Sequence, residues 1–178
     1  MRRISYRGEK VSIGIDVHKK QYTVTCVVSG AVVMKVTMPA EPRVLVKFIL
    51  TRFEGAEVIS AYEAGFSGFG LHRALTAAGI NNLVVHAASI EIAARDRVKT
   101  DRRDSLKIAQ QLECGRLRGI RVPSPEEEAK RLLHRTREQL IRKRTQLINQ
   151  VKMRLYQLGL EVPKTVNSRS CRELLAKN

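Results

Sequence analysis

The chain has 178 residues, and 33 lysines and arginines against 17 aspartates and glutamates give it a formal net charge of +16. This length can bury a hydrophobic core, and so large a positive excess favours a nucleic-acid partner over a merely basic, solvated surface. Three widely spaced cysteines exclude a zinc knuckle and a disulfide framework, and no apolar run could span a membrane, so we expect a soluble cytoplasmic protein without a membrane partner.

The first part of the chain predicts an antiparallel meander followed by alternating helices and strands. The meander strands are rich in Val, Ile and Thr, with a tight turn at Ser29 and Gly30, and they are "VSIGID" (11–16), "YTVTCVV" (22–28) and "AVVMKVTM" (31–38). The later elements are a helix at 43–53, a strand at 56–65, a helix at 67–79, a strand at 81–87 and a helix capped by Thr100. This order predicts an α/β domain, residues 1–122, with one mixed sheet and flanking helices. The ribonuclease H-like fold has this order, although other α/β folds share it.

A long helix is predicted after this domain. Ser124 is a candidate N-cap, Pro125 occupies the first helical position, and three glutamates follow where the helix dipole favours them. We predict a coiled-coil segment at 123–160 that joins copies of the chain into a dimer or larger assembly through the 125–158 helix, with a helix folded back on its own domain as the alternative. The tail at 161–178 is expected to be poorly ordered. The apolar residues that fall in neighbouring seven-residue columns are Leu140 and Leu147; Ile141, Ile148 and Leu155; and Val151 and Leu158.

Four acidic residues of the first domain could converge on one point. Asp16 closes an otherwise apolar strand and Glu63 ends a later one, while Asp101 and Asp104 share a helix face at i and i+3. Four carboxylates would repel one another without a cation among them, and their hard oxygen atoms suit Mg²⁺ or Mn²⁺, ions that serve phosphodiester chemistry. Taken singly, each has an ordinary interpretation as a turn residue, a salt-bridge partner or a helix-start acid.

Several segments of the chain resemble a known family. "IGIDVHKKQYTV", "YEAGFSGFGLHRAL", "LVVHAASI" and "VKTDRRDSLKIAQQL" resemble the amino-terminal domain of the insertion-sequence 110 (IS110) family of transposases, the group that includes the pilin-gene invertase Piv. The "TDRRDS" and "YEAG" blocks are the most specific parts of the resemblance, which runs from about residue 11 to about residue 160. It implies a RuvC-like domain of the ribonuclease H type that acts on DNA, with a catalytic and metal-binding DEDD set at Asp16, Glu63, Asp101 and Asp104.

The resemblance has further implications outside that domain. It implies a coiled coil after the domain and, in RNA-guided members, binding of a structured guide RNA together with DNA. Family members continue into a second domain with a serine nucleophile, but this chain ends at Asn178, and none of Ser105, Ser124, Ser168 and Ser170 lies in a matching context. We therefore expect a truncated transposase that does not complete recombination alone.

Basic residues close to these features are expected to contact nucleic acid. His18, two residues after Asp16, could face the same cleft, whereas the glycines of "GFSGFG" match neither a dinucleotide-binding nor a Walker loop and predict a turn. The predicted nucleic-acid-binding residues are Lys19, Lys20, Lys99, Arg102, Arg103, Arg142, Lys143 and Arg144.

Three functions remain as hypotheses. The favoured one is a metal-dependent transposase or recombinase domain that acts on DNA phosphodiesters. The second is a non-catalytic nucleic-acid-binding and dimerisation module, or an inhibitor of the full-length transposase. The third is an ATPase like the sugar or acetate kinases, which needs a second lobe for which this chain has no room.

Overall fold

The computed structural model describes residues 5–89, 101–162 and 165–177. Within these ranges the side chains of residues 101–103, 168, 171, 174, 175 and 177 are not described. The chain divides into two compact units, Met1–Val122 and Pro123–Asn178. None of the helices in the described ranges combines the length and the hydropathy needed to cross a bilayer.

The first unit is built on one five-stranded sheet with the strand order β3-β2-β1-β4-β5. β1, β2 and β3 pair antiparallel, and β4 and β5 run parallel to β1. Ser29 and Gly30 join β2 to β3 with φ angles of 48° and 80°, the left-handed values that a two-residue hairpin requires. This is the mixed sheet of the ribonuclease H-like fold, so the predicted fold class is confirmed. The strands are β1 (Lys10–Val17), β2 (Gln21–Val28), β3 (Ala31–Pro39), β4 (Glu57–Glu63) and β5 (Asn81–Val85).

Two helices, α1 (Pro42–Arg52) and α2 (Gly70–Ala77), contribute to the core on one face of this sheet. Successive strand residues point to opposite faces, so the odd-numbered residues of β1 share one side. Val11, Ile13 and Ile15 are fully buried in the same cluster as the apolar residues of the two helices, and the partly buried Val17 packs against that cluster. The members of this cluster from β1, α1 and α2 are Val11, Ile13, Ile15, Leu45, Ile49, Leu71 and Leu75.

The opposite face carries a third helix, α3 (Asp101–Glu113). Ile108 and Leu112 of α3 form a second buried cluster with Ala61 of β4 and Val85 of β5. Thr100, the predicted cap of this helix, lies outside the described residues. The two clusters place the sheet between two helical layers, with α3 alone among the described helices contributing to the second cluster.

The second unit contains α4 (Pro125–Gln157), a helix of 33 residues. Its start follows the prediction: the Ser124 hydroxyl accepts from the Glu127 backbone N–H at 3.1 Å, and the Glu127 carboxylate accepts from the Ser124 N–H at 2.9 Å. This capping box satisfies two amide groups that the helix itself leaves unpaired. No residue of α4 is buried within the described structure.

A further helix, α5 (Ser168–Lys177), occupies the stretch for which little order was expected. Asn167 caps it, since its side-chain oxygen accepts from the backbone N–H groups of Arg169 at 3.0 Å and Ser170 at 2.9 Å. Asparagine before a helix is a common start signal, and Asn167 is the local feature from which this helix could have been predicted.

Candidate metal centre

Asp16 and Glu63 lie at the ends of two neighbouring parallel strands. The register pairs Gly14 with Ala61 and Ile15 with Tyr62, so the next residue on each strand is one of these two acids. Because side chains alternate, Asp16 shares the face of Gly14 and Glu63 shares the face of Ala61. Both faces are the one that α3 covers. The two carboxylates therefore stand at the same edge and on the same face of the sheet.

Helix α3 begins at this edge and runs back along β1. Early in the helix, Ser105 lies against Gly14, and at its far end Glu113 accepts a hydrogen bond of 2.9 Å from the Gly30 backbone N–H at the opposite edge. Asp104 directly precedes Ser105 and is half-buried. Asp101 is the first residue of the helix, and its side chain is not described. The first turn of α3 is thus brought to the edge that carries Asp16 and Glu63.

His18 contacts the carboxylate of Asp16. Its Nε2 atom lies 2.9 Å from Asp16 Oδ2, with side-chain exposures of 41% for His18 and 19% for Asp16. The sequence suggested that His18 could face the same cleft only because it lies two residues after Asp16. The contact restrains the orientation of the Asp16 carboxylate, as hydrogen-bonded neighbours do for carboxylates that bind metal ions.

The described side chains do not by themselves close a metal-binding cage. Within the described part of the chain, no three His, Cys, Asp or Glu side chains are near enough to one another to hold an ion. Asp16, Glu63 and Asp104 are among these described side chains, whereas the side chain of Asp101 is not described. Carboxylate oxygen atoms from β1, β4 and α3 are the hard donors that Mg²⁺ and Mn²⁺ prefer, so the chemistry of the set fits such an ion.

Comparison with known proteins identifies the family. The family model DEDD_Tnp_IS110, described as a transposase, matches residues 13–159. The chain belongs to this transposase family. The transposase for insertion sequence element IS1533 of Leptospira borgpetersenii is 32% identical over 136 residues, which cover 74% of this chain and 39% of that protein. Two Sinorhizobium fredii proteins with transposase names are 40% and 38% identical over 92 and 106 residues, covering 52% and 55% of this chain but 23% and 26% of their own lengths.

This IS110-family chain therefore spans well under half the length of the curated relatives it matches. Among solved structures, Thermus thermophilus RuvC in complex with a Holliday junction substrate matches with a TM-score of 0.45 and 14% identity, covering 62% of this chain and 99% of that one. At this identity and TM-score, the likeness identifies neither a substrate nor an activity for this chain.

The basic residues predicted to contact nucleic acid fall into three groups in this IS110-family domain and its helical extension. Lys19 and Lys20 are exposed in the turn that follows β1, at the same edge as Asp16. Arg102 and Arg103 lie in the first turn of α3 with side chains that are not described, and Lys99 lies outside the described residues. Those on α4 in the second unit are exposed, and they are Arg142, Lys143 and Arg144.

The glycine-rich stretch after Glu63 is a turn that joins β4 to α2. The Tyr62 hydroxyl donates to the Gly68 carbonyl and accepts from the His72 backbone N–H, both at 3.3 Å. These bonds hold the turn and the start of α2 to the end of β4. The stretch therefore has a structural role at the edge that carries Glu63.

Polar groups on the α2 side of the sheet form a separate chain of hydrogen bonds. Ser60 donates to Asn82 Oδ1 at 2.9 Å, and Asn82 Nδ2 lies 2.9 Å from His72 Nδ1. Burial, with a smaller contribution from the Arg73 charge, lowers the pKa of His72 from its ordinary value of 6.5. This chain supports α2 and is distinct from the acidic edge.

Two groups with nucleophilic chemistry are unsuited to attack. Burial raises the pKa of the Cys26 thiol to about 12, so it stays protonated at neutral pH. The Ser105 side chain is fully buried, and its hydroxyl lies 2.9 Å from that of Thr25.

Proposed function

We propose that this chain is the RuvC-like domain of a DNA transposase and that Asp16, Glu63, Asp101 and Asp104 together bind Mg²⁺ or Mn²⁺ at DNA phosphodiesters. The observation that carries the proposal is the common edge and common face of Asp16 and Glu63, to which the first turn of α3 is also brought. A divalent cation bound there would polarise a phosphoryl oxygen and stabilise the charge that develops as the phosphodiester bond breaks.

The residues around the acidic edge have complementary tasks in this proposal. His18 restrains the Asp16 carboxylate through its contact of 2.9 Å. Lys19 and Lys20, in the exposed turn beside the edge, contact phosphates on the bound strand. The excess charge of +16 draws DNA toward the site and would equally serve a structured guide RNA. The cytoplasmic location expected from the sequence belongs to the same proposal.

Helix α4 joins two or more copies of the chain in this proposal. Its apolar residues are exposed, with Leu140 at 62% and Leu147 at 60%, and they recur at the seven-residue spacing of a coiled coil. A 33-residue helix with no buried residue lacks the tertiary packing that usually stabilises helices in water. A second copy of α4 would supply that packing.

Two carboxylates at opposite ends of β4 provide a matched test of the metal site. Glu63 ends the strand at the acidic edge and Glu57 begins it at the opposite edge, and both are exposed on the same face. In a calorimetric titration of Mn²⁺, we expect Glu63→Gln to weaken binding about 10-fold or more. Mutation of a residue that merely hydrogen-bonds to a metal ligand already lowers metal affinity by about this factor. Glu57→Gln should bind Mn²⁺ like the wild type.

The titration separates the transposase hypothesis from its alternative. Equal Mn²⁺ affinity in Glu63→Gln, Glu57→Gln and the wild type would exclude Glu63 from a metal site. If no variant and no wild-type sample bound Mn²⁺ while branched DNA or structured RNA was still held, the chain would be a non-catalytic binding and dimerisation module. Nucleic-acid affinity is expected to fall steeply with added salt in both cases, since phosphate contacts dominate it.

A further inference from the structure

We propose that Gly14, Thr25 and Ser105 are positioning residues of the acidic site, because they fix the first turn of α3 against β1 and thereby set Asp104 relative to Asp16. This inference rests on the proposed function, since it assigns roles around the same metal site. None of these three residues binds the metal ion itself. Their contribution is the placement of an element that carries two of the four carboxylates.

Gly14 allows the helix backbone to meet the strand backbone. A Cβ atom added at Gly14 would overlap the Ser105 carbonyl oxygen and would lie 2.5 Å from the Ala109 nitrogen and 3.1 Å from the Ala109 Cα. All three are backbone atoms, which cannot rotate away as the end of a side chain can. Glycine inside a strand is typical of such close backbone approach. The missing side chain therefore sets how deeply α3 sits on β1.

The Thr25–Ser105 hydrogen bond restrains α3 against sliding along its axis and turning about it. Thr25 lies opposite Gly14 on β2, and its hydroxyl oxygen is 2.9 Å from that of Ser105. Both side chains are fully buried, so water cannot replace the bond if the helix slides or turns. A directional bond of this kind restrains rotation about the helix axis and translation along it, which the contact at Gly14 alone does not.

These anchors adjoin the carboxylates that they would position. Ser105 directly follows Asp104, and Gly14 lies two residues before Asp16 on the same face of β1. A hydrogen bond near the other end of α3, from the Gly30 N–H to Glu113, is exposed and lies at the opposite edge. The relative position of Asp16 and Asp104 thus depends on the buried anchors, since a helix that shifts at Ser105 carries its first turn with it.

The test compares hydroxyl removals that differ in where the hydroxyl lies. Thr25→Val and Ser105→Ala remove the proposed anchor, Thr25→Ser keeps the hydroxyl, and Ser60→Ala removes a buried hydroxyl whose partner is Asn82 on the other face. For each full-length variant we would measure the Mn²⁺ dissociation constant and, without metal, the hydrogen exchange of the backbone amides at 105–109.

We expect Thr25→Val and Ser105→Ala to speed exchange at 105–109 and to weaken Mn²⁺ binding by about 10-fold, the lower end of the range for residues that support metal ligands. Thr25→Ser and Ser60→Ala should leave the Mn²⁺ affinity at the wild-type value. Faster exchange with unchanged affinity would reduce the anchor to a purely structural role and leave the metal site intact, and unchanged exchange would overturn the anchor itself. A wild-type chain that binds no Mn²⁺ would overturn the proposed function and this inference together.

Discussion

Helices α3 and α4 are both amphipathic, but they differ in which of their side chains are buried. α3 has 13 residues and buries Ser105, Ile108, Ala109 and Leu112. α4 has 33 residues and, in the described structure, buries none. Ser105 and Ala109 have small side chains, and at these two residues α3 approaches the sheet backbone directly.

The difference shows what each helix is fitted to contact. Small residues at 105 and 109 meet Gly14, and such contacts specify one position because backbone atoms leave no room for adjustment. The leucines of α4 present side chains that can interlock with similar side chains at many points along a partner helix. α3 is therefore suited to hold carboxylates in place, and α4 is suited to join separate copies.

The largest expected effect is the loss of self-association when leucines of α4 are replaced. Replacing Leu140 and Leu147 together by glutamate should weaken self-association by at least about 100-fold, since burying each leucine contributes about 1.5–3 kcal/mol and about 1.4 kcal/mol is a factor of ten. Sedimentation velocity would report the change in mass. Gln139→Glu with Gln146→Glu adds the same charge at the preceding positions and should leave association nearly unchanged. A leucine variant that sediments like the wild type would place the interface elsewhere.

A smaller but still large effect is expected on the stability of the first unit when Gly14, which α3 contacts, is replaced. Gly14→Ala should lower the free energy of unfolding of the first unit by about 3 kcal/mol, because the added Cβ meets helix backbone rather than a movable side chain. Urea unfolding would measure it. Gly70→Ala is the control, since nothing lies within 4 Å of a Cβ at that position. Equal stabilities for the two variants would show that α3 does not approach β1 this closely.

The start of α4 should respond more weakly to the loss of its cap. Ser124→Ala removes the hydroxyl that accepts from the Glu127 N–H, which costs about 1 kcal/mol in comparable helices. Hydrogen exchange in the first turn of α4 would report the loss, and Ser124→Asp, which keeps an acceptor, should restore protection. Unaltered exchange in Ser124→Ala would mean that partner contacts, rather than the cap, stabilise this turn.

The smallest effect expected is a dependence of stability on pH at His72. Its pKa in the folded chain lies below the ordinary 6.5 of the unfolded chain, so the unfolded state binds more protons as the pH falls. The contribution of His72 to stability should be constant above about pH 7 and decline as the pH drops through 6.5 toward the lowered pKa. His72→Gln should lack this part of the decline. Parallel stability curves for the two proteins between pH 5 and pH 8 would contradict the assignment.

Local sequence patterns predicted the elements whose signals lie within a few residues. The β1–β2–β3 meander, the turn at Ser29 and Gly30 and the helix start at Ser124 all follow from such signals. They also placed Asp16 and Glu63 at strand ends, from which a shared edge could be inferred but not shown. The prediction of four metal ligands stays a prediction, with Asp101 described only in its backbone.

The anchors of α3 could not be predicted in the same way. Thr25 and Ser105 are 80 residues apart in the chain, and nothing in either segment specifies that they meet. Gly14 could be noticed in the sequence, because a glycine within a strand pattern suggests that another backbone approaches closely. The pattern does not say which element approaches. Such pairings depend on how the whole domain packs, whereas strands, turns and caps depend on neighbouring residues.

The most direct test of the central claim is electron paramagnetic resonance of Mn²⁺ titrated into the wild type, Asp16→Asn, Asp104→Asn and the double variant. If β1 and α3 contribute to one ion site, each single substitution should reduce bound Mn²⁺ strongly, and the double variant should bind little less than either single one. Single substitutions without effect, or losses that simply add, would show that Asp16 and Asp104 do not share a site, and would contradict the account.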